Sequence, residues 1–296
     1  MARIACLVAL TLLIVDFAAR LQAQQTPPRF EIASVKKVPP PTDPILVSPG
    51  GRRGDRWRAT NATLRMLIRA AYAPQFQQEG TIVGGPAWLD TDRFDINASA
   101  DPSISIESMR LMAQALLTER FQMAVRRESR ELPAYVLVHA RADRRPGPAL
   151  RTLAIDCDAL RASRQRGAAP PPAPPQPGKP PADCITMIRF LPSAMRIDSG
   201  GMTIEELLGF LSQATGRPVL DQTGLTGHFA LTVEFATDGT LGPFGERVAP
   251  SARAAQQTDT ASVFAAVEDQ LGLKLESRRS SVDVLVIDRA EQPTPD

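Results

Sequence analysis

Glu128-Ser-Arg130 is followed, after a short gap, by Val136-Leu-Val138, and Glu276-Ser-Arg278 is followed after the same gap by Val284-Leu-Val286. Repetition at fixed spacing restricts a chain to architectures that use one structural unit twice. The correspondence extends upstream. Thr63, Leu67 and Ile68 have the spacing of Thr203, Leu207 and Leu208, and Phe94-Asp-Ile96 stands where Phe229-Ala-Leu231 stands. Each copy then reads as helix, strand, second helix and terminal hairpin.

The stretch Met202–Val233 shows the unit most clearly. Thr203 is suited to cap a helix, and Glu206 three residues on completes a capping box. Ile204, Leu207, Leu208 and Leu211 share one helical face. Gly216 and Pro218 then stop the helix. Phe229–Phe235 alternates as a half-buried strand. A second helix over about Thr260–Leu271 aligns Val263, Ala266, Val267 and Leu271, and Leu273–Glu276 with Val282–Ile287 makes the closing hairpin. In the first copy the helices fall at Thr63–Tyr72 and Ile106–Thr118, Phe94–Ala98 is a strand, and Phe121–Val125 pairs with Tyr135–His139. Phe30–Val35 is the first strand. The expected fold is α+β, with two related modules, each of two helices packed on a mainly antiparallel sheet. The expected boundaries are a signal at 1–23, an N-terminal module at 24–140, an Arg/Pro-rich linker at 141–184, a C-terminal module at 185–290 and a tail at 291–296.

Residues 1–23 carry Arg3, a short apolar run Ile4–Val15 and small Ala23, the pattern of a cleaved secretory signal. The run is too short to span a bilayer comfortably, and Asp16 interrupts it. The expected location is therefore secreted or periplasmic, with no stable membrane span after cleavage. Beyond the signal two cysteines remain, Cys157 and Cys184. In an oxidising compartment such a pair reads as a disulfide, two free thiols being the alternative. A bridge there would contribute roughly 3–4 kcal/mol through loop closure. It encloses a tract, Gly167–Ala182, that holds eight of the chain's 27 prolines and reads as an extended spacer. The formal net charge of +2 gives no reason to expect nucleic acid or acidic lipid as a partner.

Residues for catalysis are few. The chain has two histidines, His139 and His228, with no neighbouring ligand pattern for zinc. Ser34-Val-Lys-Lys37 has the spacing of a serine nucleophile and its lysine, but in a strand positions three apart face opposite ways. Asp90, Asp92 and Asp95 are closely spaced without the glycine and distal glutamate of a calcium loop. The most distinctive loop is Gly84-Gly-Pro-Ala-Trp-Leu-Asp90. Trp88, Asp90 and Asp92 are the binding candidates, with a tryptophan that closes the module's core as the plainer reading of Trp88. No cofactor, no metal and no catalytic residue is expected.

Phe30-Glu-Ile-Ala-Ser-Val-Lys36, Gly84-Gly-Pro-Ala-Trp-Leu-Asp90, Glu131-Leu-Pro-Ala-Tyr135 and Arg217-Pro-Val-Leu-Asp-Gln-Thr-Gly-Leu-Thr-Gly227 resemble a family of secreted, soil-associated bacterial proteins of unknown function. The resemblance covers nearly all of the mature chain and implies an extracytoplasmic location. Some relatives look fused behind membrane metallopeptidases similar to beta-lactam sensors. At fold level the module is also similar to the short N-terminal domains of secretins and TonB-dependent receptors. The expected function is a non-enzymatic binding or sensory module of the cell envelope, with an unknown envelope protein or ligand as partner. The alternatives are an extracytoplasmic hydrolase with an unidentified site and a structural envelope protein.

Overall fold

A computed structural model describes residues 28–40, 47–165, 170, 181, 184–191, 194–236 and 260–293. The expected signal and most of the proline-rich tract lie outside them.

The first half forms β1 (Ile32–Val38), β2 (Arg52–Arg53), β3 (Arg56–Thr63), α1 (Leu64–Ala71), β4 (Ile82–Gly84), β5 (Arg93–Ser99), α2 (Ile106–Arg120) and β6 (Ala124–His139). A short segment follows with β7 (Leu150–Thr152) and α3 (Cys157–Gln165). The second half forms β8 (Thr186–Phe190), β9 (Ala194–Met202), α4 (Ile204–Thr215), β10 (Val219–Asp221), β11 (Phe229–Ala236), α5 (Val263–Ala266) and β12 (Leu273–Arg289). Helix α5 runs into one wider turn, Val267–Leu271, and Gly272 ends it in the left-handed conformation at φ 68°.

The fold is α+β with mainly antiparallel sheets. Among the described residues the strands make three sheets, ordered β1-β5-β3-β2, β10-β6-β12-β4 and β7-β11-β9-β8. The middle sheet draws strands from both halves, so neither half has only a sheet of its own. Its centre is a long antiparallel ribbon of β6 and β12, in register from His139 opposite Leu273 to Val125 opposite Ile287, with a shift before Ala124 meets Arg289. Short β10 adds in parallel beside β6, and short β4 adds in parallel beside β12.

This ribbon corrects the two expected terminal hairpins. Phe121–Val125 does not fold back on Tyr135–His139, and Leu273–Glu276 does not fold back on Val282–Ile287. Each polar middle stretch stays extended because the other supplies its backbone partners: Leu132 faces Ser280, and Glu128 faces Val284. Pro133 is tolerated because β10 reaches only Tyr135–Leu137, leaving the proline's other edge without a strand to pair with.

The ribbon also ties the two cores together. Leu285 and Ile287 of β12 pack into the core under α1 and α2, among Leu67, Ile68, Phe94 and Phe121. Leu137 of β6 packs with Leu207, Leu211, Leu231 and Val267 under α4 and α5. The central leucine of each Val-Leu-Val therefore completes the other half's core.

Residues 141–184, read from sequence as a linker, hold β7 and α3. The helix starts where the Asp156 carboxylate accepts from the Ala159 N–H at 2.9 Å. Cys157 at its start is bonded to Cys184. Gly201 makes this possible, since a Cβ there would sit 2.4 Å from the Cys157 sulfur. Arg161 donates to the carbonyls of Gly201 at 2.8 Å and Cys184 at 3.3 Å, which holds α3 on β9.

Candidate ligand groove

Helices α1 and α4 are each used on two faces. Thr63 caps α1 by accepting from the Met66 N–H, and Thr203 caps α4 by accepting from the Glu206 N–H. With the start fixed, Leu64, Leu67, Ile68 and Ala71 of α1 are buried, as are Ile204, Leu207, Leu208 and Leu211 of α4. Two residues further along, about 200° round a helix, lies the opposite face. On α1 that face carries Met66, Arg69 and Ala70, with Ala73 just beyond the helix end. On α4 it carries Glu206, Gly209, Phe210 and Gln213. These eight residues border one cavity of about 370 Å³.

The remaining walls come from Pro49–Arg52, from Trp57 of β3, from Gln77, from Ile106, Met109 and Arg110 of α2, and from Ile188 of β8. Gly50 lets its loop cross the indole. At φ +104° it has a backbone that side chains rarely adopt, and a Cβ there would lie 2.7 Å from Trp57 Cζ2. Gly209 has the reverse significance. A Cβ on it would meet nothing within 4 Å, so the centre of the α4 wall is open space.

The halves are fixed to each other beside this groove. Gln78 brackets the Val219 backbone, accepting from its N–H at 2.6 Å and donating to its carbonyl at 2.9 Å. The Glu79 N–H donates to the buried Ser212 hydroxyl at 2.8 Å. The Glu79 carboxylate pairs with Arg69 at 2.7 Å.

The polar groups of the groove are unevenly satisfied. Arg52 donates to the carbonyls of Gly54, Pro102 and Ile104 and meets no carboxylate among the described residues. Glu206 closes the α4 capping box and lies 3.7 Å from Arg161, so its charge is compensated. Arg110 has no hydrogen bond and no ion pair among the described residues. Arg69 Nε and Gln213 Oε1 are buried with no hydrogen-bond partner, two of five such side-chain atoms among the described residues. Most buried polar atoms in folded proteins find a partner, so such exceptions call for a cause.

The residues singled out from sequence lie elsewhere. Trp88 and Asp90 are on a tight helical turn, Ala87–Asp90, and Asp92 follows it. The Trp88 ring stacks 6.5 Å from Phe121 and meets Phe94 edge-on at 6.3 Å, closing the first core. Asp90 receives both forks of Arg65, at 2.5 and 3.0 Å. Asp92 pairs with Lys37 at 2.8 Å, and Asp95 accepts from the Asn61 N–H at 2.7 Å. The three carboxylates thus turn to three different partners. Lys37 and Ser34 are both on edge strand β1, paired with β5. His139 contacts the Thr223 carbonyl at 3.0 Å, and His228 lies 3.5 Å from Asp158. Neither histidine borders the groove. Among the described residues no group of His, Cys, Asp and Glu is placed to hold a metal ion.

One buried carboxylate has a structural role. Asp198 of β9 accepts from Arg189 at 2.9 Å, from Arg196 at 3.0 Å and from the Thr232 hydroxyl at 2.9 Å. Burial pushes its titration upward, but the hydrogen bonds of Arg196 and Thr232 and the charges of Arg196 and Arg189 outweigh that and hold it below the ordinary aspartate value.

Sequence reading missed the groove residues Trp57, Arg69, Arg110, Gly209 and Gln213. One signal was available: a glycine inside the otherwise strong helix Ile204–Thr215, where its propensity cost implies another use.

Among the described residues no helix is long and apolar enough to cross a membrane. No curated protein and no solved structure matches the chain. Residues 65–290, which hold α1 from its second residue, α4 and the whole ribbon, match the family described as "Protein of unknown function (DUF3738)", and the chain belongs to that family.

Proposed function

We propose that this protein is an exported, non-enzymatic binding module of the cell envelope that takes a small ligand in the groove between α1 and α4. The observation that carries this is the cavity of about 370 Å³ bordered by matching helix positions of both halves. Small-molecule sites fall in a range of roughly 300–1,000 Å³ and favour apolar walls with a few polar groups between packed units. Export is supported by the signal-like residues 1–23 and by the Cys157–Cys184 bridge, which persists in oxidising compartments. We further propose that residues 24–140 and 185–290 are copies of one unit. The matching strand orders β1-β5-β3-β2 and β7-β11-β9-β8 support that reading, as does the crossed use of Leu137 and Leu285.

Thermal shift against a panel of small metabolites tests the binding role, with Gly209→Leu as the partner protein. A compound that raises the melting temperature of the wild type and not of the filled variant supports the groove. Compounds that act equally on both bind elsewhere, and that result would sink the assignment. N-terminal sequencing of exported protein tests the address, with a new start near residue 24 expected; an intact Met1 on membrane-bound material refutes it.

A further inference from the structure

Resting on the groove as the binding site, we infer that its ligand is an amphipathic carboxylate: an apolar body bearing one anionic head. The apolar body is indicated by Trp57, Met66, Met109, Ile188 and Phe210 around the cavity. Two of these are methionines, whose unbranched chains adapt to varied apolar shapes. Gly209 leaves space between them where a side chain would stand.

The charge of the head follows from the ionic groups that border the cavity. The carboxylate of Glu206 is already engaged by the Thr203 N–H at 3.0 Å and by Arg161. The Arg69 guanidinium is matched by Glu79. Two cations remain without a carboxylate among the described residues, and both belong to the same wall. Arg110 stands on α2, and Arg52 binds the carbonyls of Pro102 and Ile104 immediately before α2. Arg52 is committed by those bonds and contributes its charge. Arg110 is free to offer a planar pair of donors, the geometry that matches a carboxylate. A neutral amphiphile leaves this pair of positive charges uncompensated beside an apolar cavity, and a cationic one adds to the repulsion. An anionic head answers the cationic wall while its apolar body fills the rest of the cavity.

Calorimetric titration of the full mature protein with decanoate, 1-decanol and decyltrimethylammonium, three probes that share one chain and differ in head charge, decides the matter. Decanoate is expected to bind at least about tenfold more tightly than decanol, the scale of one charge-assisted hydrogen bond. Arg110→Gln should remove that advantage and leave decanol affinity unchanged. Arg110 has no partner within the described residues, so an unchanged melting temperature is the folding control. Equal binding of decanoate and decanol, or a decanoate affinity indifferent to Arg110→Gln, overturns the anionic head while the groove stands. Tighter binding of the ammonium probe overturns it likewise. Decanoate binding that survives Gly209→Leu places the ligand outside the groove and overturns both readings.

Discussion

Helices α1 and α4 start alike and diverge in what they show to the cavity. Both open on a threonine cap, and both bury an aliphatic stripe at the same four positions. Their opposite faces share positions and little else: Met66, Arg69, Ala70 and Ala73 on one side confront Glu206, Gly209, Phe210 and Gln213 on the other. The buried stripe is held to one chemistry because any change in volume is felt by the packed residues around it. The cavity face is under no such constraint, so charge, bulk and a glycine are distributed there unequally. A cavity built from two like helices thereby acquires a polar and an apolar side.

The largest expected effects test whether the two halves really complete each other. Leu137→Ala and Leu285→Ala should each cost about 2–5 kcal/mol, from lost burial and the cavity left behind. Leu137 belongs by sequence to the first half, yet its truncation should loosen the core of α4 and α5. Hydrogen exchange reads this directly: protection should fall around Leu207 and Val267 for Leu137→Ala, and around Leu67 and Phe94 for Leu285→Ala. The opposite assignment in either variant would dissolve the crossed arrangement.

A second difference between the halves is the staple. The Cys157–Cys184 bridge, 27 residues apart, lies against β9 and thus serves the sheet β7-β11-β9-β8. Its reduction should cost about 3–4 kcal/mol by loop-closure entropy. Limited proteolysis of reduced protein should cut first near α3 and β8. Early cutting in β1 or β5 would show that the staple supports the molecule as a whole.

The third difference is ionic. Asp198→Asn removes the charge that Arg189, Arg196 and Thr232 surround, and about 2–3 kcal/mol is expected, the arginines being partly exposed. The carboxyl titrates lower in the folded state than in the unfolded chain. Its contribution is therefore complete above the unfolded aspartate value, near pH 4, and fades as pH falls toward the lower folded value. Denaturant midpoints between pH 7 and pH 3 should show the wild-type advantage over Asp198→Asn shrinking only at the acid end. A constant difference would remove the ion pair from the account.

How far these contrasts could be read beforehand depends on how local their causes are. The buried stripes of Leu67 and Leu207 were legible, because a capped 3.6-residue period lies within one short window. The long strands were not. Glu128–Pro133 has the composition of a turn, and its extended form is dictated by partners in the other half of the chain. Helix α3 was hidden by its arginine-rich surroundings, although Asp156 ahead of Cys157 is a capping signal. The groove was least accessible of all. Arg110, Arg69 and Gln213 come from three separate helices, and the docking of the two halves, in which Gln78 and Ser212 take part, sets them round one cavity.

The smallest effect gives the finest comparison, because it places one substitution at matched positions of the two helices. Arg69→Leu on α1 leaves Glu79 without its ion-pair partner in a half-buried site, so a loss of about 1–2 kcal/mol is expected. Gly209→Leu on α4 should act in the other direction. Its backbone is helical, its Cβ would meet nothing within 4 Å, and a glycine inside a helix costs roughly 1 kcal/mol relative to a good helix former. The leucine gains that propensity and extends into the cavity, so stability should rise by up to about 1 kcal/mol while ligand binding is lost. Urea midpoints of the two variants supply the test. A destabilised Gly209→Leu would mean that the wall opposite Arg69 is already filled, and with it would go the reason for treating the space between α1 and α4 as a site.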